Sequence, residues 1–480
     1  MIQTQDVQRA CMVFATTVVA AGSAQADHFS IHALLAGDVA LTDNEFSVPS
    51  SLGPEPDLFV DVRPGVMLMS EGPRFIEQLL AQAEVIEYAR HLDEPSYNAL
   101  GSWKGILLPG PRTDMVFQVD GATGQTNALT ARNTSDQATI QVQQSGPASL
   151  RSADALENLG YQATKETRVI ESGFAQWAAT DDNQPSPTTT NSFSGGGGIG
   201  VQRLFRHDTV GLDVGVTYLR LEEIAPVTMT TGLVPLVGSH LQHQLNPRAD
   251  ITWLHDFGRK WSGGLLAGLV YVNQIGIDPY APQLPVAGAT AYPVFSALVG
   301  YTDVWGHALL NVGRGVAPDL FIAENTLNDS AIVQAAIPLY WLETRPTHEP
   351  RLALLGSAGV VRTQLLDSQS GGTLGEFDVG LLDVGIQWTQ SPGRVWGVRY
   401  ELMIQHGNQA ASVIEPSFYR DTLFFTFNLR YPDDVTPKLP STGQSVRSDR
   451  SDMAPATSGA EPVVPDPVDP APTNDATPSP

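Results

Sequence analysis

The chain has 480 residues, with 51 Asp and Glu against 27 Lys and Arg, and its formal charge of −24 argues against nucleic acid or an anionic membrane surface as partner. Its single cysteine, Cys11, lies in the first residues, so the remainder offers no disulfide, zinc thiolate or cysteine nucleophile. No apolar run is long enough to cross a bilayer as a helix, so a membrane-embedded form of this chain has to be a closed sheet, in which every backbone polar group is paired.

Met1 to Ala26 contains Arg9, an apolar run from Ala10 to Ala21, and small residues at Ala24 and Ala26. This pattern predicts a secretory signal peptide over 1–26, with 27–431 as the folded body. No internal linker divides that body, although its length would allow two or three soluble domains. Export without cysteines points to a bacterial envelope.

Phe29 to Leu41 alternates Phe29, Ile31, Ala33, Leu35, Gly37, Val39 and Leu41 with Ser30, His32, Ala36 and Asp38, which predicts a strand, because side chains in a strand alternate between faces. Leu58 to Met69 repeats the pattern, with Leu58, Val60, Val62, Val66 and Leu68 against Asp61 and Arg63. A turn-rich link lies between them. Arg74 to His91 reads either as an amphipathic helix or as a strand, and its strand neighbours favour the strand. Further strands are expected near 98–108, 113–121, 138–144, 161–179, 192–206, 209–222, 241–257, 261–274, 292–303, 305–314, 330–341, 351–365, 377–390 and 394–406. The last, Phe418 to Tyr431, sets Leu423, Phe425, Phe427, Leu429 and Tyr431 against Thr422, Phe424, Thr426, Asn428 and Arg430.

Link lengths give a separate indication of topology. Short links near 70–73, 109–112, 207–208, 258–260, 304 and 391–393 alternate with long ones near 42–56, 181–191, 224–240, 275–291, 316–329, 367–376 and 407–417. Sorting by length at the two ends is a property of transmembrane barrels, so the fold expected is all-β, a closed antiparallel transmembrane β-barrel of about 18 strands, with about 16 as the alternative. An even count puts both chain ends on the periplasmic side. Pro432 to Pro480, rich in Pro, Ser, Thr and Asp, is expected to be a disordered acidic tail, either idle or in contact with periplasmic or peptidoglycan-associated partners.

Strand parity sends Asp38, Asp61, Arg63, Asp213, Arg248, Asp250, Asp256, Asp383, Arg399 and Glu401 to the polar face, where they would line a channel. An acidic lumen would favour cations or neutral solutes over anions; alternatively the acids sit in external loops and are neutralised by divalent ions. Trp253, Tyr218, Trp388, Trp396, Tyr400 and Tyr431 fall on the apolar face, as in the aromatic girdles of membrane barrels.

Other chemistry is weakly represented. Ser194 to Gly200 is glycine-rich but lacks the Lys-Ser or Lys-Thr and the strand-loop-helix setting of a phosphate loop. His240 and His243 fall on opposite faces of a strand, and Leu355 to Gly359 lacks the first glycine of a hydrolase elbow. Neither a cofactor nor a metal is expected. A Ser and His pair acting on lipid remains a third alternative, after a channel and a non-conducting barrel for surface display, adhesion or anchoring.

The closing segment, with its terminal aromatic, resembles the last strand of Gram-negative outer-membrane barrels, though here the chain runs on beyond it. That resemblance implies recognition of residues 418–431 by the barrel assembly machinery. The early residues Asp43, Asn44, Asp57, Pro64 and Gly65, and the turn Pro111, Arg112 and Thr113, are similar to a family of β-barrel porins of the exopolysaccharide-associated type. The resemblance covers about the first quarter of the chain. It implies an outer-membrane channel surrounded by lipid and lipopolysaccharide that passes or exports hydrophilic solutes, polysaccharide among them.

Overall fold

A computed structural model describes residues 28–44, 54–90, 95–125, 149–180, 189–224, 240–276, 278, 288–319, 324–342, 351–366, 373–408 and 417–433. In chain order the strands are β1 (His28–Thr42), β2 (Asp57–Gly72), β3 (Phe75–Tyr88), β4 (Ser96–Gly110), β5 (Thr113–Gln125), β6 (Ser149–Gln162), β7 (Thr167–Thr180), β8 (Thr189–Leu204) and β9 (Asp208–Ile224). They continue with β10 (His240–Asp256), β11 (Trp261–Val272), β12 (Thr290–Asp303), β13 (Gly306–Asp319), β14 (Glu324–Pro338), β15 (Leu352–Leu366), β16 (Thr373–Ser391), β17 (Arg394–Gly407) and β18 (Phe418–Tyr431).

Each strand pairs antiparallel with the next, and β1 also pairs with β18, so the 18-stranded sheet closes on itself and has no free edge. The closing register sets Val39 opposite Phe425, Leu35 opposite Leu429 and Ala33 opposite Tyr431. Closure satisfies the ladder hydrogen bonds of every strand without help from solvent.

The two faces differ sharply. One carries exposed apolar side chains all round the barrel, among them Ile31, Leu41, Leu212, Ile251, Leu265, Val360, Ile386 and Phe425. On the other, side chains from strands that are not neighbours converge: the Phe59 ring of β2 packs 6.3 Å from Phe424 of β18, across β1. Convergence marks the concave, inward face. Exposed apolar residues therefore point out and most charged ones point in, the reverse of a water-soluble barrel.

At one end the links are tight, except for the one between Pro338 of β14 and Leu352 of β15. Gly258 and Gly306 hold φ of +129° there, a conformation that side-chain-bearing residues rarely adopt. Lys260, in the turn before β11, donates to Asp303 Oδ2 at 2.6 Å, and this bond holds its ammonium above the ordinary lysine pKa. At the same end, on the outer face, Trp253 Nε1 donates to Asp208 Oδ1 at 2.9 Å, and Trp388 stands opposite Trp396. Tyr431 is 75% exposed at the end of β18. Tyr400, by contrast, sits in mid-strand, outside either border. Beyond Tyr431, His32 Nδ1 donates to the Pro432 carbonyl at 3.2 Å, and Ser391 hydrogen-bonds Asp433.

The structure corrects three expectations. Residues 161–179 are not one strand: β6 ends at Gln162 and β7 starts at Thr167. The strand expected near 138–144 lies outside the described residues, and its place in the barrel is taken by Ser149–Gln162. That segment hides its period, since its outward positions include Ala153, Ala155 and Glu157 while Leu156 points inward. The link expected over 316–329 is mostly strand, because β13 runs to Asp319 and β14 begins at Glu324. Asp329 at its end and Arg314 just before it are charged yet face outward as a cross-strand pair, so polarity there does not signal a loop. The ambiguous Arg74 to His91 is strand β3, paired on both sides.

Candidate functional site: the charged lumen wall

The register turns all ten sequence-selected residues to the inward face and gathers nine of them into three groups of one design. Each group has two carboxylates directly opposite on neighbouring strands, with an arginine two residues along one of them. Asp38 faces Asp61, and Arg63 Nη2 donates to Asp38 Oδ2 at 2.8 Å, with its Nε 3.6 Å from Asp61. Asp213 faces Asp250, with Arg248 Nε 3.9 Å from Asp250 Oδ2. Asp383 faces Glu401, with Arg399 Nη1 3.2 Å from Asp383 and Nη2 3.9 Å from Glu401. Like charges directly across a ladder repel one another. The shared guanidinium relieves that repulsion and by itself leaves two carboxylates to one cation; the third group gains a second cation in Arg420.

Glycines make room for these carboxylates. A Cβ at Gly200 would strike Asp213, and one at Gly268 would strike Asp250. Asp256 stands apart, at the short-link end of β10 opposite Ser262.

Three further features of the wall escaped the sequence reading. Arg420 joins the third group, donating to Glu401 Oε1 at 3.1 Å, and the Arg399 guanidinium lies 4.3 Å from the centre of the Phe424 ring. Asp120 faces Asp154 as a fourth acidic pair, with Gln118 donating to Asp120. Asp114 and Arg168 form an ion pair of 2.7 Å with side chains only 4% and 6% exposed. Strand parity could have found Arg420, which shares its face with Thr422 and Phe424. The Asp120 and Asp154 pair was out of reach, since it required placing β6.

Toward the long-link end the wall becomes tightly packed. Inward side chains of Thr42, Glu84, Tyr88, Leu219, Leu221, Leu365, Phe377 and Gln405 are nearly or fully shut off from solvent. Glu84 Oε2 accepts from Asn98 Nδ2 at 2.6 Å, and Tyr88 shares a hydroxyl contact of 3.3 Å with Ser96. Gln244 of β10 accepts a hydrogen bond from Asn325 of β14, with three strands between them. The barrel thus draws in at this end, above the belt of charged groups. His240 faces inward and pairs with Glu223 at 3.2 Å, while His243 faces outward and meets the Tyr218 hydroxyl at 2.8 Å. Among the described residues no cluster of His, Cys, Asp or Glu has the geometry to hold a metal ion.

No protein-family model and no curated protein matches this sequence. Among solved structures, the chain is similar to the outer membrane protein OpdK of Pseudomonas aeruginosa, with TM-score 0.41 and 10% identity over 84% of this chain and 99% of that one. It is similar to the ferric citrate transporter FecA, with TM-score 0.44 and 9% identity over 84% and 79% of the two chains. It is also similar to OccAB3 of Acinetobacter baumannii, with TM-score 0.43 and 8% identity over 84% and 99%. Likenesses of this strength decide neither substrate nor mechanism, and the fold rests on the strand register itself.

Proposed function

We propose that this chain is an outer-membrane channel for hydrophilic solutes, with a preference for cations and neutral molecules over anions. One observation carries the reading: a closed 18-stranded barrel exposes apolar side chains on its outer face and sets three groups of paired carboxylates on its inner wall. Facing lipid, charges such as Asp383 or Asp250 would cost several kcal/mol each, whereas facing a watery lumen they cost little. On this reading the short-link end is periplasmic. Residues 1–26 are a leader removed on export, and residues beyond Asp433 trail on the periplasmic side, free to touch envelope partners. The closing strand, ending at the exposed Tyr431, is the segment for the assembly machinery to engage. Polysaccharide is the solute suggested by the family resemblance, and the acidic belt suits a neutral or cationic polymer better than an anionic one.

The packed long-link end supports a second reading, a barrel that is shut at rest and serves for display or anchoring. Single-channel recording of the refolded chain 27–480 in a planar bilayer, under a KCl gradient, separates the two. Stable openings with a cation-selective reversal potential are expected. A folded, inserted barrel that stays silent would replace the channel by the display reading, and mainly anionic current would remove the proposed selectivity.

A further inference from the structure

At the short-link end of β1, Ser30 and His32 lie on one face of the strand, and the register of β1 against β2 and β18 turns that face inward together with Asp38. Ser30 is half-buried, whereas His32 is shut off from solvent altogether. Two hydrogen bonds orient the His32 ring. Its Nδ1 lies 3.2 Å from the Pro432 carbonyl, and its Nε2 lies 3.0 Å from the Ser30 hydroxyl. A carbonyl oxygen can only accept, so Nδ1 carries the proton, and in the neutral ring Nε2 turns its lone pair toward Ser30. The Ser30 hydroxyl therefore donates to His32, and it has no other hydrogen bond among the described residues.

The neighbouring wall leaves this bond undisturbed. Met69 stands opposite Ser30 on β2 and Met67 opposite His32, and both methionines are buried. A thioether is too weak an acceptor to compete with an imidazole for the hydroxyl proton. A histidine placed only for packing needs no partner that opens to the barrel interior, yet Ser30 does open there. A hydroxyl bonded to an imidazole that a third group holds in one tautomer is the arrangement of an activated nucleophile: the base is already aimed at the proton it has to take.

We propose that Ser30 and His32 are a nucleophile and its general base, and that they hydrolyse short-chain acyl esters of water-soluble molecules entering the barrel at its short-link end. The inward face keeps the pair away from the lipid side of the wall, and the buried methionines beside it suit a small acyl group. Ser30 Oγ bonds to the ester carbonyl carbon while its proton passes to His32 Nε2. The bond from that carbon to the alcohol oxygen then breaks, and the alcohol leaves with the proton. Water repeats the sequence on the acyl-serine. Its oxygen bonds to the carbonyl carbon, and its proton passes through Nε2 to Ser30 Oγ as the carboxylic acid departs. Ester and water become acid and alcohol, and His32 ends as it began. The Pro432 carbonyl keeps the ring in place throughout, as a positioning group.

The test treats the refolded chain 27–480 with diisopropyl fluorophosphate, which phosphorylates an activated serine with loss of fluoride, and separately with p-nitrophenyl acetate. Ser30→Ala and His32→Gln are made in parallel, and heat-modifiable migration checks that each folds. For the parent chain an adduct on Ser30, located by peptide mass spectrometry, is expected. Labelling should slow about a hundredfold in His32→Gln, the scale of a lost general base, and nitrophenyl ester turnover should fall by about the same factor in Ser30→Ala. Ser30→Ala keeps a small side chain at a half-buried position, so it still reads out the proposal if His32→Gln does not fold. A folded parent barrel that takes no label on Ser30, or a folded Ser30→Ala barrel that hydrolyses the ester as fast as the parent, overturns the assignment. Planar-bilayer recording of the same preparation keeps the channel reading separate: current without a Ser30 adduct refutes the Ser30 and His32 pair alone, and a Ser30 adduct on a silent barrel upholds the pair and refutes the channel.

Discussion

Arg399 is the cation on which the third carboxylate group depends, and Arg399→Gln isolates its effect on ions passing the wall. Its guanidinium lies 3.2 Å from Asp383 and 3.9 Å from Glu401, while Arg420 still reaches Glu401 at 3.1 Å after the change. The substitution therefore adds one net negative charge to the wall and leaves the second bridge standing. For an ion passing about 5 Å away in a water-like medium, one unit charge is worth about 0.8 kcal/mol, and screening at about 0.1 M salt reduces this to about 0.5 kcal/mol. That is about 2.3-fold for each ion and opposite in sign for cation and anion, so the cation-to-anion permeability ratio should rise about fivefold. The reversal potential in a planar bilayer under a KCl gradient reads this directly. The shift should fade at about 1 M salt, where the Debye length falls to about 3 Å. Adding Asp383→Asn to the same chain should cancel it. A reversal potential that does not move, or that moves toward anions, would show that this group does not face the permeation path.

Asp114→Ala should destabilise the barrel by about 3 kcal/mol, because it strands the buried Arg168 without its partner, and urea-induced loss of heat-modifiable migration would measure it; an unchanged midpoint would mean Arg168 reaches water. Gly306→Ala should cost about 1–3 kcal/mol, since φ of +129° strains any side chain and the new Cβ would meet the Ala336 carbonyl. Its effect should appear in the same unfolding assay, with a Gly315→Ala control, where a Cβ meets nothing, near the parent value. Tyr431→Ala should slow assembly into lipid vesicles while leaving the folded barrel's stability within about 0.5 kcal/mol, given that the ring is 75% exposed; equal assembly rates would remove the terminal aromatic from the assembly signal. A chain ending at Asp433 should fold and conduct as the longer one does, and loss of folding would assign the remaining tail to the barrel itself.

Most of the architecture was legible because a membrane barrel writes a period of two onto every strand that has lipid on one side and water on the other. β1, β2, β9, β17 and β18 show it cleanly, as in Val210, Leu212, Val214 and Val216 against Gly211, Asp213 and Gly215. β6 does not, since alanines and Glu157 occupy its outward face. Arg314, Asp329, Arg362 and Asp378 break the pattern in the opposite way, as outward charges that neutralise one another across the ladder.

Parity alone carried the ten wall residues to one face, because an extended chain has only two. What parity could not supply was register. That Asp383 stands against Glu401 and Asp213 against Asp250, with Arg399 and Arg248 beside them, depends on how far neighbouring strands slide before their hydrogen bonds lock. Closure of β1 on β18 and the crossing of Gln244 to Asn325 join residues far apart along the chain. The local alternation thus determined the strands and their wet and greasy faces. The shear of the closed barrel decided which charges meet, since only a completed ring fixes the offset between one strand and the next.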